Sequence, residues 1–589
     1  MAKKKKNIKL NDAEKKFSLQ TITNRFKIAE NYQNPIFNKL AEYYEYYRVS
    51  YAQMDSNIWR SQIKVPYIKQ VVDTILPRLV SNKPTINTLP REPEDTVNAQ
   101  SMEKLVTYQW DTMRMNKKLK QWVKAGLIYG VSIMKIGWDW DEKGKDGLWA
   151  EPISIYDFYK DPKTSTIDGS WVIYKQERDL KTVKDNPNYD TEGIDAALSS
   201  NDSKWKIQEQ ASLGRSEPDD DERKKVIVYE YYGPIATEQD GEEKEMLIVT
   251  ANNKHILRAV PLDEIYPCGV PFVAFQDDIM PNDFWAIGEV EPLVALQDEL
   301  DTLRNQRIDN RKLITNHMWL VDKTKGINWE DFVSRPGGII ECDDVNAVKP
   351  LPVNDTTQNT VQEEAIIKQD MDRTSGVFPG MMGQIQKPMG ATGDVNQTAR
   401  GFLASLEQAG TKMQYKLDNL DDAIRELGRK MLKMNQKYIS REQVIRIVGK
   451  SGIQFEKIPV EAIRKEYDLF VEGGSTQPQN KEVKKIMWMN LLQLLVPLSQ
   501  MPLMDYEPGR PPAPTKLNVK WVLDNLLKNF DVPNIEEAFI SQMGFSPPPG
   551  MPGGMPPGMP GMGGMPLNMP NVAQPQGQPE EQGIAPLQR

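Results

Sequence analysis

The sequence predicts a mixed α+β fold that is predominantly helical, and three observations carry that expectation. Apolar residues recur at helical spacing over the first hundred residues and again after residue 288. Between these stretches lies a block rich in β-branched and aromatic residues, punctuated by glycine turns. Long amphipathic patterns bracket a short strand-and-turn segment near residues 318–352.

The opening element runs from Asp12 to about Tyr47, where Phe17, Ile22, Phe26, Ile28, Leu40, Tyr43, Tyr44 and Tyr47 fall at helical intervals. A second helix is expected from Tyr67 to Val80, stopped by SNKP, and a third from Pro93 to about Leu127. LIYGVSIMKIGWDWD then changes the period, and with the turn DEKGKDG it reads as a hairpin. WVIYKQERDL, VIVYEYYGP and EMLIVTANNKHILRAV continue as strands, interrupted by a polar insertion from about Asp185 to Asp221.

From Gly288 a long amphipathic helix is expected, with Leu293, Leu296, Leu300 and Leu303 on one seam. Its acids Asp298, Glu299 and Asp301 precede its bases Arg304, Arg307, Arg311 and Lys312, an order that suits the helix dipole. Residues 318–352 read as a compact strand and turn module, with Arg335, Pro336, Gly337 and Gly338 in a tight turn before a strand to Cys342. A helix from about Thr356 to Thr374 returns from it. A Gly-, Gln- and Met-rich loop follows, and then a very long helix from Asp394 to Tyr438. The end of the chain, from about Ser546, is Pro, Gly and Met without a strict repeat, and is expected to be disordered.

Composition narrows the function. The chain has 589 residues, room for roughly three or four domains, and 39% hydrophobic residues, enough for real cores. A net charge of -8 argues against a basic surface that coats DNA. Two cysteines, Cys268 and Cys342, and two histidines supply too few ligands for structural zinc, and buried thiols in a reducing compartment are expected, with a Cys pair as the alternative. No apolar segment follows the basic start MAKKKK, so it is no secretory signal. The run IMWMNLLQLLVPLSQMPLM is interrupted by polar residues and prolines, and reads as a buried or oligomer-facing helix rather than a membrane span.

The glycine loop invites a phosphate-binding reading, but no Walker pattern is present: the nearest match, Gly449-Lys450-Ser451, has Val444 where the first glycine is required. Asp277-Asp278 and Asp219 to Asp221 could in principle hold a metal, but adjacent aspartates without a separated partner read as solvated turns. No nucleophile elbow supports a hydrolytic triad. No catalytic, cofactor or metal site is therefore assigned.

The order of segments resembles the portal proteins of tailed double-stranded DNA bacteriophages, particularly the larger portals of short-tailed phages. The resemblance covers roughly residues 20 to 475. It rests on LIYGVSIMKIGWD, then ISIYDFYKDP, the helix from Gly288 to Ile314, RPGGIIECDD, and SGVFPGMMG to NQTARGF, in that order. It implies a ring, a dodecamer in that family, with wing, stem, clip, tunnel loop and crown around a DNA channel. The implied division is a basic N-terminus at 1–20, a wing at 21–288, stem helices at 289–315 and 353–375, and a clip at 316–352. A tunnel loop at 376–393, a long wing helix with return strands at 394–475, a helical crown at 476–545 and a tail at 546–589 complete it.

The resemblance further implies that Gly380, Gly383, Gln384, Gln386, Lys387 and Gly390 face the duplex. An uncharged polar lining with one cation would let phosphates slip past. Leu293, Leu296, Leu300, Leu303, Arg304 and Arg307 would meet neighbouring subunits, and Arg335 to Gly338 would form the clip turn. Implied partners are further copies of the chain, capsid and scaffolding proteins, a terminase motor, tail adaptors and passing DNA, with no membrane and no cofactor. The implied place is one capsid vertex of the virion, after synthesis in the host cytoplasm. The residues alone leave alternatives open: an ordinary interhelical loop, an intramolecular helix pair in a monomer, another connector or scaffold, or a packaging ATPase or nuclease.

Overall fold

A computed structural model of the chain describes residues 11–50, 59–81, 83–90, 96–139, 147–194, 225–236, 238, 241–316, 318–322, 324, 348–354, 357–377, 395–439, 443–449, 452–465, 467–471, 503–505 and 513–515. All lie in Met1–Leu517, one of two compact units, the other being Asn518–Arg589.

Helix α1, Asp12–Arg48, opens where the Asn11 backbone N–H donates to Glu14 Oε2 at 2.7 Å and closes where Val49 turns left-handed with φ 60°. Its apolar stripe meets aromatic residues of a sheet and of the 3-10 turn that leads into it: the Phe26 ring lies 4.8 Å from Tyr159 and 4.9 Å from Tyr229, edge-on, and Phe37 lies 5.4 Å from Tyr156 in the turn Ile155–Asp157. Each such buried phenylalanine contributes about 1.5–3 kcal/mol by leaving water. That sheet has the antiparallel order β4-β5-β6-β7-β8, from Phe158–Lys160, Val172–Asp179, Lys225–Ile235, Lys244–Ala251 and His255–Pro261. EMLIVTANNKHILRAV is therefore a hairpin of two strands, because Asn252 and Asn253 both take positive φ, 51° and 53°, as a tight turn between twisted strands requires.

Helix α2 spans Tyr67–Leu79 and strand β1 spans Ile86–Pro90. The single third helix expected from Pro93 is instead two helices, α3 (Thr96–Thr112) and α4 (Met115–Tyr129). The break is at Arg114, whose φ of 55° cannot continue a right-handed helix, and Trp110 Nε1–H donates to Asn116 Oδ1 across the corner at 2.8 Å. Leu127 to Tyr129 close α4 rather than opening the hairpin. Gly130, at φ 83°, makes the turn into strand β2 (Val131–Asp139).

Strand β2 is the middle of a second sheet, ordered β3-β2-β9 with β3 at Gly147–Ile153 and β9 at Phe272–Gln276. The two sheets are tied by a buried ion pair, Lys135 Nζ to Glu230 Oε2 at 2.5 Å, with Lys135 4.6 Å from the Tyr174 ring centre. Burial pulls the Lys135 ammonium down while Glu230 opposes it, and burial would raise Glu230 but Lys135 holds it down.

After β9 come helix α5 (Val294–Thr315), the paired strands β10 (Trp319–Val321) and β11 (Val348–Pro350), and helix α6 (Thr357–Ser375). The helix expected from Gly288 begins later, because Glu291–Leu293 forms a 3-10 turn ahead of it. Helix α7 then covers Val395–Tyr438. Its second half packs on the β3-β2-β9 sheet: Lys430 Nζ donates to the carbonyls of Val270 and Phe272 at 2.9 and 2.7 Å, and Tyr438 stacks on Trp138 at 5.3 Å. Strands β12 (Gln443–Gly449) and β13 (Gly452–Ile458) form a hairpin, and β14 (Tyr467–Val471) returns to pair with β1.

Cys268 is a buried free thiol, and burial pushes its pKa up to about 11. Cys342 lies outside the described residues. Of 476–545, the structure describes a short strand pair, Leu503–Asp505 with Ala513–Thr515. No helix among the described residues is long and apolar enough to cross a membrane.

Candidate subunit and channel elements

Helices α5 and α6 pack side by side and antiparallel, since Asn310 near the end of α5 reaches the carbonyl of Asn354 while Arg304 and Arg307, further back, reach Glu364. The apolar seam holds this pair to its own chain. Leu293 and Leu300 are fully buried, and Leu296 and Leu303 are half-buried against the same core.

Glu364 collects three cations: Arg304, Arg307 Nη1 at 2.9 Å, and Lys368 Nζ at 2.8 Å one turn along α6. Burial alone would raise its carboxyl, but Lys368 and Arg304 hold it below the usual range. The two arginines singled out in the sequence thus bind a carboxylate of the same chain.

The polar face of α5 does something the sequence does not announce. Residues 59–66, between α1 and α2, run extended along it and are fixed by side chains four residues apart. Asp309 Oδ1 accepts the Ser61 N–H, Asn305 Oδ1 the Ile63 N–H and Asp301 Oδ1 the Val65 N–H, each at 2.7 Å. Asn305 Nδ2 returns a bond to the Ile63 carbonyl at 3.0 Å, and Gln297 Nε2 one to the Val65 carbonyl at 2.6 Å.

The spacing explains the fit. Four helical residues advance about 6 Å and two extended residues about 6.6 Å, so a helix face with acceptors at i, i+4 and i+8 imitates the edge of a strand. Lys312 Nζ fixes the far end on Ser61 Oγ at 2.6 Å. Burial would raise the Asp309 carboxyl, but the Ser61 hydroxyl and N–H and then Lys312 hold it low. The signal was in the sequence as Gln297, Asp301, Asn305 and Asp309 at a strict spacing of four, but such residues ordinarily read as a solvated face.

Where α5 joins the body, a buried charge cluster replaces the expected solvated turn at Asp277-Asp278. Asp277 is fully buried, its Oδ2 2.8 Å from Lys416 Nζ on α7, and the same ammonium lies 2.5 Å from Glu289 Oε1. Asp277 Oδ1 has no hydrogen-bond partner among the described residues. Two carboxylates thus share one cation out of water. Burial, reinforced by Glu289 and opposed by Lys416, pushes the Asp277 carboxyl up to about 7, so that a proton on it neutralises the cluster. Asp277 is spoken for by Lys416, and no cluster of potential metal ligands occurs among the described residues.

The remaining sequence-predicted residues, Gly380, Gly383, Gln384, Gln386, Lys387 and Gly390 of the loop and Arg335, Pro336, Gly337 and Gly338 of the turn, lie outside the described residues. The loop is bounded by α6, which ends at Ser375, and α7, which begins at Val395.

A family model described as the phage SU10 portal protein matches residues 18–147 and 141–585. No curated protein matches the chain. The family match spans both sheets, the α5–α6 pair and α7, nearly the whole sequence. The chain belongs to the phage SU10 portal protein family, which makes it a phage portal protein, a non-enzymatic connector whose role is the channel through which DNA is packaged and ejected.

Proposed function

We propose that α5 and α6 are the stem of this portal, residues 316–352 its clip and residues 376–393 its tunnel loop, in a closed ring of twelve copies at one capsid vertex. One observation carries this reading: an antiparallel helix pair brackets the paired strands β10 and β11, and the chain after Ser375 leads into a helix of 44 residues that begins at Val395. At 22 residues, α5 is about 33 Å long, a rod rather than a core helix of a compact enzyme.

The seam supports a refinement of the stem contacts. With Leu293 and Leu300 buried in their own chain, the surface offered to neighbours is carried by Val361 and Ile366 on α6 and by Trp59 and Ile63 in the extended segment 59–66, 47–59% exposed. A ring of identical copies buries such residues through one repeated heterologous contact. The exposed β10 residues Trp319 and Leu320 suit the clip to protein partners, namely the terminase motor and then the tail adaptors. Capsid and scaffolding proteins would meet the wing, 21–288, and the crown would occupy 476–545.

Gly380, Gly383, Gln384, Gln386, Lys387 and Gly390 would line the channel and pass the duplex without gripping it. Replacing Gly380, Gly383 and Gly390 with alanine tests this. Heads assembled with that variant should contain the ring but package less DNA, and wild-type packaging would remove the loop from the channel.

A further inference from the structure

The corner between α3 and α4 opens into a pocket of about 500 Å³, a size that accommodates a few side chains. Its apolar wall is Met113, Leu148 and Trp149, and its cationic rim is Arg114, Lys117 and Lys118. No residue of α5 or α6 lines it.

The charge here runs against the rest of the chain. Helix α4 has lysine at 117, 118, 120 and 124 and neither Asp nor Glu, within a protein of net charge -8. Some of these cations are engaged: Lys118 Nζ lies 2.8 Å from the Ala150 carbonyl and 3.6 Å from Glu151, and Lys124 lies 3.8 Å from Asp73. Asp111, the acid closest in sequence to the corner, is taken by Lys83 at 2.7 Å. Arg114 and Lys117 are exposed and have no ion-pair partner among the described residues. The Trp149 indole N–H is satisfied by Asp139 Oδ1 at 2.9 Å, which leaves the ring itself as contact surface.

We propose that this pocket docks a short acidic peptide segment of a partner protein. Two carboxylates of the segment would pair with Arg114 and Lys117, and an aliphatic side chain would lie against Leu148 and Trp149. Charge complementarity selects the acid and the wall selects the neighbouring apolar residue. A duplex is the poorer occupant, because phosphate binding draws on an extended track of cations along a rod rather than a concave site with an indole wall.

The test uses the full-length protein and a fluorescein-labelled ten-residue peptide alternating glutamate and leucine, followed by anisotropy. The expected result is saturable binding that weakens with salt and is absent for the glutamine-leucine counterpart. The double variant Arg114→Asn, Lys117→Glu should bind about tenfold more weakly, the loss of two partly exposed ion pairs. Its melting temperature should be unchanged, because both side chains are exposed and asparagine tolerates the left-handed backbone at 114. Unaltered binding by the variant, equal binding of the glutamine peptide, no peptide binding at all, or binding of a duplex oligonucleotide at Arg114 and Lys117 instead would each overturn the proposal.

Discussion

Asn305→Ala removes one rung of the side-chain ladder that fixes residues 59–66 to α5. The lost contacts are the Ile63 N–H to Asn305 Oδ1 at 2.7 Å and the Asn305 Nδ2 to Ile63 carbonyl at 3.0 Å. Both are exposed, so water re-solvates the freed groups and only the net value of each bond is lost, about 0.5–1 kcal/mol apiece. The expected cost is therefore about 1–2 kcal/mol, and it is local, because Asp309 and Asp301 still hold Ser61 and Val65. Hydrogen exchange read by mass spectrometry at single-residue resolution should show the Ile63 amide exchanging roughly 5- to 30-fold faster in the variant. Ser61 and Val65 should change less, and the global melting temperature should hardly move. Unchanged protection at Ile63, or an equal rise across α1, α2 and α5, would refute the ladder.

The other predictions concern the ion clusters and one glycine. Asp277→Asn should flatten the pH dependence of stability. The native carboxyl titrates near 7 instead of near 3.8, so its contribution is complete below about pH 4 and is lost as pH rises to 7, with a slope of up to about 1.4 kcal/mol per pH unit. Thermal melts from pH 4 to 8 should lose that slope in the variant, and parallel curves would contradict the assignment. Glu364→Ala leaves Arg304, Arg307 and Lys368 without their shared carboxylate and should cost about 2 kcal/mol in chemical denaturation, less than a fully buried pair because the cations reach solvent. Wild-type stability would show that the cluster contributes nothing. Gly130→Ala would place a Cβ 1.9 Å from the Ala286 carbonyl oxygen on a backbone at φ 83°, so yield of folded protein should collapse, a loss of about 3 kcal/mol or more. Normal yield would contradict the close crossing of chains there.

What the sequence made legible was what periodicity encodes. The seam of Leu293, Leu296, Leu300 and Leu303 repeats every three or four residues, and the strand blocks alternate or run apolar, so helix α5 and most strands of the middle region could be anticipated, but not their division into two sheets, one of them completed by Phe272–Gln276. The break at Arg114 could not, because neither glycine nor proline marks it and an arginine adopts the left-handed turn. Asp277 read as a turn because its partner Lys416 lies 139 residues away and a lone aspartate does not reveal its burial. The ladder was hidden for the same reason: Asn305 and Ile63 are 242 residues apart, and a polar helix face looks alike whether it meets water or a backbone. Arg304 and Arg307 carried the right chemistry, carboxylate binding, but the sequence could not say that Glu364 of the same chain supplies it.

The central claim is that this chain works as a closed ring around DNA, and cryo-electron microscopy of the purified full-length protein, paired with its native mass, tests it most directly. The account predicts a ring of twelve copies with an axial channel wide enough for a duplex, α5 and α6 beside that channel, and Val361, Ile366, Trp59 and Ile63 buried between neighbours. A monomer or dimer that persists across salt concentrations, or a ring with these helices on its outer rim, would contradict it.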